Sequence, residues 1–188
     1  KAAREMEIKL NEVSLTTKPL FKLPNVPAGT IVPSFPETEI EPEATEVVVT
    51  SKAPEGISNI SDIMMSDNAV MEIRLSVENS FLASGDVIPD MVLELGGLAV
   101  LENGLGQVEL DRSCVLNADN GYTLTKKYHV VELNVNESDW DTSGELKLKK
   151  QIRMTGSASI RNAVLDDSKL SGYTAAGMGL HVEISFSD

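Results

Sequence analysis

The chain is poor in the residues that carry most protein chemistry. It has one cysteine, Cys114, in 188 residues. One cysteine permits no internal disulfide and cannot supply a zinc cluster. In "DRSCVLNA" its neighbours are Val115 and Leu116, so it reads as a small buried hydrophobe rather than a thiolate nucleophile. Two histidines, one tryptophan and a 4% aromatic content leave little for metal or nucleotide sites. Basic charge is also scarce: 16 Lys and Arg stand against 29 Asp and Glu, a formal net charge of −13. Counterion release from nucleic acid needs clustered cations, which rules out a backbone-tracking nucleic-acid partner and a polybasic membrane contact. No apolar run reaches the roughly 18 residues needed for a transmembrane helix. Helical periodicity is weak throughout; the best helix candidate is a short turn at Val164 to Leu170.

What is present is alternation with a period of two, the mark of half-buried strands. "AVMEIRLSV" sets Ala69, Met71, Ile73, Leu75 and Val77 on one side, with Glu72, Arg74 and Ser76 on the other. "ELKLKKQIRM" sets Leu146, Leu148, Ile152 and Met154 inward; Lys150 breaks that row and predicts a bulge or strand end. "GMGLHVEISF" sets Met178, Leu180, Val182, Ile184 and Phe186 against His181, Glu183 and Ser185. "EMEIKL" does the same near the start. Turn signals separate these runs, and Asn120-Gly121 predicts a two-residue hairpin turn. The pattern predicts an all-β fold, an antiparallel sandwich of immunoglobulin-like or related type, with tandem units left open. "MEIKLN", "MEIRLS" and "VEISFS" form an internal echo consistent either with duplication or with the likeness of amphipathic strands.

Residues 22–45, "KLPNVPAGTIVPSFPETEIEPEAT", hold five of the eight prolines. Proline cannot donate a ladder hydrogen bond, so a central strand is excluded. The apolar content is too high for a disordered tether. The segment reads as an ordered strap over the sandwich or between two units, with the glutamates from Glu37 to Glu46 as a solvated loop or, alternatively, a site for a cation or basic partner. This divides the chain into residues 1–44, an N-terminal strand plus strap, and 45–188, the main sandwich.

"DWDTSGE" is the most specific local pattern. Asp139, Asp141, Ser143 and Glu145 make it a candidate calcium loop, with oxygen ligands at alternate positions and a glycine for the turn. Lys150 stands where the bidentate glutamate belongs, so an Asx-rich turn competes with that reading and no cofactor is the base expectation. Trp140, with Tyr122, Tyr128 and Tyr173, is the candidate aromatic platform for a sugar ring; a buried Trp140 plugging the sandwich is the alternative. His129 and His181 lie in strands and in no metal-binding spacing.

The order "PEGISNISDIMMSDNAVMEIRLSVENSF", "IPDMVLELGGLAVL", "MTGSASI", "GLHVEISFSD" resembles the repetitive β-sandwich ectodomains of bacterial outer-membrane lipoproteins, over roughly residues 45 to 188. The resemblance implies an envelope protein facing the outer-membrane surface or secreted. It implies adhesion or ligand capture and carries over no catalytic residues. Membrane attachment would come only through a lipid anchor upstream of Lys1. The function expected is therefore a non-enzymatic binding module with a protein or glycan partner. A carbohydrate-binding module, assisted by calcium, is the first alternative. A hydrolase whose site assembles in space from scattered acids and His129 is the second.

Overall fold

The computed structural model describes residues 8–10, 12–22, 31–51, 62–64, 69–97, 99–102, 106–134, 140–141, 146–166, 168–169 and 177–187. The described residues form two antiparallel sheets packed face to face, and they contain no α-helix. The first sheet has the order β1 (Ile8–Leu10), β3 (Ile31–Ser51), β12 (Leu146–Leu165), β6 (Leu82–Glu94), β8 (Gln107–Leu110). In it β11 (Trp140–Asp141) also pairs with β12, and β9 (Leu116–Asn117) with β6. The second has the order β2 (Val13–Thr16), β13 (Gly179–Ser187), β5 (Val70–Glu78), β10 (Thr123–Asn134), β4 (Asp62–Met64), with β7 (Ala99–Leu101) on β10. This is the sandwich that the alternation predicts.

The inward rows land where the sequence puts them. Ala69, Met71, Ile73 and Leu75 are buried, as are Met178, Leu180, Val182 and Ile184, and Ile152 and Met154 face them from the other sheet. Burying each of the larger side chains among them contributes about 1.5–3 kcal/mol. Cys114 joins this core as the small hydrophobe expected of it.

The proline-rich segment differs from the expectation in an instructive way. Residues 31–51 are one long strand of the sheet, paired with β12 almost throughout, and the expected division at 44/45 falls inside it. The prolines are tolerated for two reasons. Among the described residues the other edge of β3 pairs only with β1, at residues 49–51, so most of its N–H groups on that side lack a ladder partner anyway. The register also shifts twice. Phe35 and Thr38 face Ile160 and Ala158, and Ile40 and Glu43 face Gly156 and Met154. Each shift gives β3 one extra residue, and the extra stretches contain Pro36 and Pro42, which makes them proline-bearing bulges. The glutamates are strand residues rather than a loop: Glu37, Glu39 and Glu41 are exposed along β3.

Three smaller expectations are corrected. Val164 and Leu165 end β12, and the described residues just beyond them make a turn, with Lys169 N–H donating to the Asp166 carbonyl at 3.0 Å, and no helix. Lys150 pairs with Val47 in unbroken register, and the first shift comes after Met154. Asn120-Gly121 is not a hairpin turn. Asn117 and Asn120 form a reciprocal capping box around a 3-10 turn, Ala118–Asn120, and the positive φ values fall on Gly121 and Tyr122. The reason is topological, because this link crosses from β9 in one sheet to β10 in the other.

Outside the core, Arg112 braces the first sheet. One guanidinium nitrogen donates to both carboxylate oxygens of Glu37 at 2.9 and 3.1 Å, and Nε donates to Asp90 Oδ2 at 3.2 Å. Ser157 Oγ donates to Glu37 Oε1 at 2.6 Å. The Ser157 hydroxyl, then Arg112, hold the Glu37 carboxyl below its ordinary value. Between the folded and unfolded pKa the unfolded chain binds the extra proton. The contribution is therefore complete above the ordinary value of 4.5 and is lost as pH falls through the depressed folded one. In urea melts, the difference in midpoint between wild type and Glu37→Gln should shrink as pH drops from 6 toward about 3. A difference constant across that range would contradict this.

Candidate functional site

The outward rows of β2, β13, β5 and β10 stack into polar rungs. Thr16, His181, Ser76 and Thr123 lie across one rung, and Ser14, Glu183, Arg74 and Thr125 across the next accessible one. Ser185, Glu72 and Lys127 form a third, with Glu12 at its open end just before β2. Because the side-chain period is two, every one of these residues faces away from the core.

Short and long side chains alternate here, so the face is not flat. Glu12, Ser14, Glu72, Arg74, Glu183, Ile184 and Ser185 line a depression of about 170 Å³. Ser14 and Ser185 give the low floor. Ile184 points into the core, so it contributes backbone. Glu12, Glu72, Glu183 and Arg74 form the walls. Lys127 Nζ stands 3.9 Å from Glu72 Oε2. At one end the His181 ring is clamped: Nδ1 lies 2.6 Å from Thr16 Oγ1 and Nε2 lies 3.3 Å from Glu183 Oε1. Glu78 Oε1 approaches Nδ1 at 3.8 Å.

These distances limit the chemistry. Thr16, His181 and Glu183 are the parts of a nucleophile–base–acid line. However, the strand N–H groups lie in the plane of the sheet and are spent on neighbouring strands, so the ladder aims no oxyanion donors out of this face. Glu78 and Glu183 approach opposite ring nitrogens, so His181 cannot hold one ion with both. Among the described residues no group of three or more His, Cys, Asp or Glu side chains gathers to hold a metal. What the face offers is a dense set of hydrogen-bond donors and acceptors of both charges around a floor of hydroxyls.

The residues singled out from sequence are dispersed. Tyr122, at the head of β10, and Tyr128, within it, both pack against the core. Burial pushes both phenols up, and the Tyr122 hydroxyl is buried without a partner. Two of the four platform rings are thus turned inward. Trp140 and Asp141 form β11, opposite Leu148 and Lys147 of β12 in the other sheet. Their side chains, and Tyr173, Asp139, Ser143 and Glu145, lie outside the described residues. His129 sits in β10, its carbonyl accepting from Glu102 N–H at 3.0 Å. Sequence reasoning put His181, Glu183 and Arg74 on polar faces but did not join them. Only the strand register does so, and no local spacing encodes it.

Comparison with protein-family models, curated proteins and solved structures gives no match to this chain. No helix among the described residues is long and apolar enough to cross a membrane.

Proposed function

We propose that the chain is a non-enzymatic binding module of a bacterial cell envelope, displayed at the outer-membrane surface or secreted. Its ligand, a surface protein or glycan, docks on the outer face of β2, β13 and β5. The observation that carries this reading is the serine-floored depression walled by Glu12, Glu72, Glu183 and Arg74. A strand face presented by a two-sheet scaffold costs little to order, so its polar groups are already positioned for a partner.

The test uses the full chain, immobilised and read against a panel of surface glycans and basic peptides. Arg74→Ala and Glu183→Gln should each weaken binding about tenfold or more, the size expected for losing a charged hydrogen bond. Binding untouched by both changes but lost in Trp140→Ala would transfer the site to the carbohydrate-module reading. Turnover of a panel member, rather than capture, would favour the hydrolase.

A further inference from the structure

The depression is not built by one continuous piece of chain. Glu12 and Ser14, and the Thr16 hydroxyl against His181, come from an N-terminal arm, Ile8–Phe21. The arm touches both sheets at their edges: among the described residues β1 pairs only with β3, and β2 only with β13. Lifting it away breaks no ladder between the remaining strands.

The groove that receives the arm is moulded to it. Thr17 N–H donates to the Leu180 carbonyl at 2.9 Å, and Thr17 Oγ1 accepts from Leu180 N–H at 2.9 Å. Phe21 and Met178 exchange backbone hydrogen bonds at 2.9 and 2.6 Å. Gly177 and Gly179 leave room for it: a Cβ on the first would lie 2.9 Å from the Phe21 carbonyl oxygen, and on the second 2.8 Å from Thr17 Oγ1. Val13, Leu15 and Phe21 of the arm are also buried in the core, so the groove fits this arm's own side chains, which a second copy of the chain carries as well.

We propose that the arm is exchangeable between copies of this chain, so that Glu12 and Ser14 of one copy complete the depression of another. The contacts of the arm are the same in both states, and what changes is which copy supplies it. Each copy carries a formal charge of −13, so repulsion holds the exchanged dimer back and salt favours it.

Ser14 and Glu183 face each other three rungs from the hydrogen-bonded Thr17–Leu180 rung. They therefore occupy a non-hydrogen-bonded rung, with Cα atoms about 4.5 Å apart, close enough for a disulfide. The double variant Ser14→Cys/Glu183→Cys is refolded at high and low concentration, in low and about 0.5 M salt, then oxidised. The proposal expects a covalent dimer whose share rises with concentration and with salt. An equimolar mixture of the two single variants should give 14–183 heterodimers in excess over homodimers. Internally crosslinked monomer under every condition overturns the proposal. Absence of any crosslink overturns it too, since both states require a seated arm.

Discussion

Gly156→Ala is expected to cost more than about 3 kcal/mol of stability. Gly156 sits in β12, which lies between β3 and β6, at the point where the register of β12 against β3 shifts, with φ +135, a conformation that side-chain-bearing residues rarely adopt. A Cβ built there would lie 2.2 Å from the Asp90 carbonyl oxygen and 2.7 Å from Met91 Cα. Both are backbone atoms of β6, fixed by ladder pairing, so no rotamer change relieves the clash. The strand would have to separate from β6 at the centre of the first sheet. Gly121→Ala is the control. It also has positive φ, +65, but nothing lies within 4 Å of its would-be Cβ. Its cost is the backbone strain alone, about 1–2 kcal/mol. Denaturant melts of the two variants measure the difference directly. Equal stabilities would mean that the two long strands do not approach as closely as described.

Phe81→Ala carries the second large effect, about 3–5 kcal/mol. Phe81 is fully buried between β5 and β6, and its carbonyl accepts from Asp166 N–H at 2.8 Å. Its ring tilts against Phe35 of β3 at 6.1 Å between centroids, and Phe35 meets Phe21 edge-on at 6.0 Å. Three of the chain's four phenylalanines thus link the body of the sandwich, the proline-bearing strand and the N-terminal arm. Truncating the innermost ring leaves a cavity that β5 and β6, pinned by their ladders, cannot close. A double-mutant cycle with Phe35→Ala should return a coupling of about 0.5–1.5 kcal/mol. A loss below about 1 kcal/mol on Phe81→Ala alone would show that this end of the core is not sealed by the ring.

How much of this was legible in advance follows from which interactions are local. Alternation in 69–77 and 177–186 reports the pleat, because neighbouring side chains must take opposite faces whatever the strand pairs with. The inward rows and the buried Cys114 were therefore readable. The state of residues 31–51 was not. Proline excludes a strand flanked on both sides, but it permits one with an open edge and bulges, and those depend on where β12 and β1 lie. The capping box of Asn117 and Asn120 likewise overrode the Asn-Gly signal because the chain has to change sheets there. The depression was the least legible feature. Ser14, Arg74 and Glu183 are separated by most of the chain and meet only through the registers of β2, β13 and β5.

The central claim is that recognition occurs on that face. It is tested most directly by amide chemical-shift mapping of the full chain, titrated with whichever glycan or basic peptide of the panel registers binding. The account predicts perturbations centred on Ser14, Glu72, Arg74, Glu183 and Ser185, with the first sheet unmoved. Perturbations confined to β11 and its neighbours on β12, leaving β2, β13 and β5 silent, would contradict it.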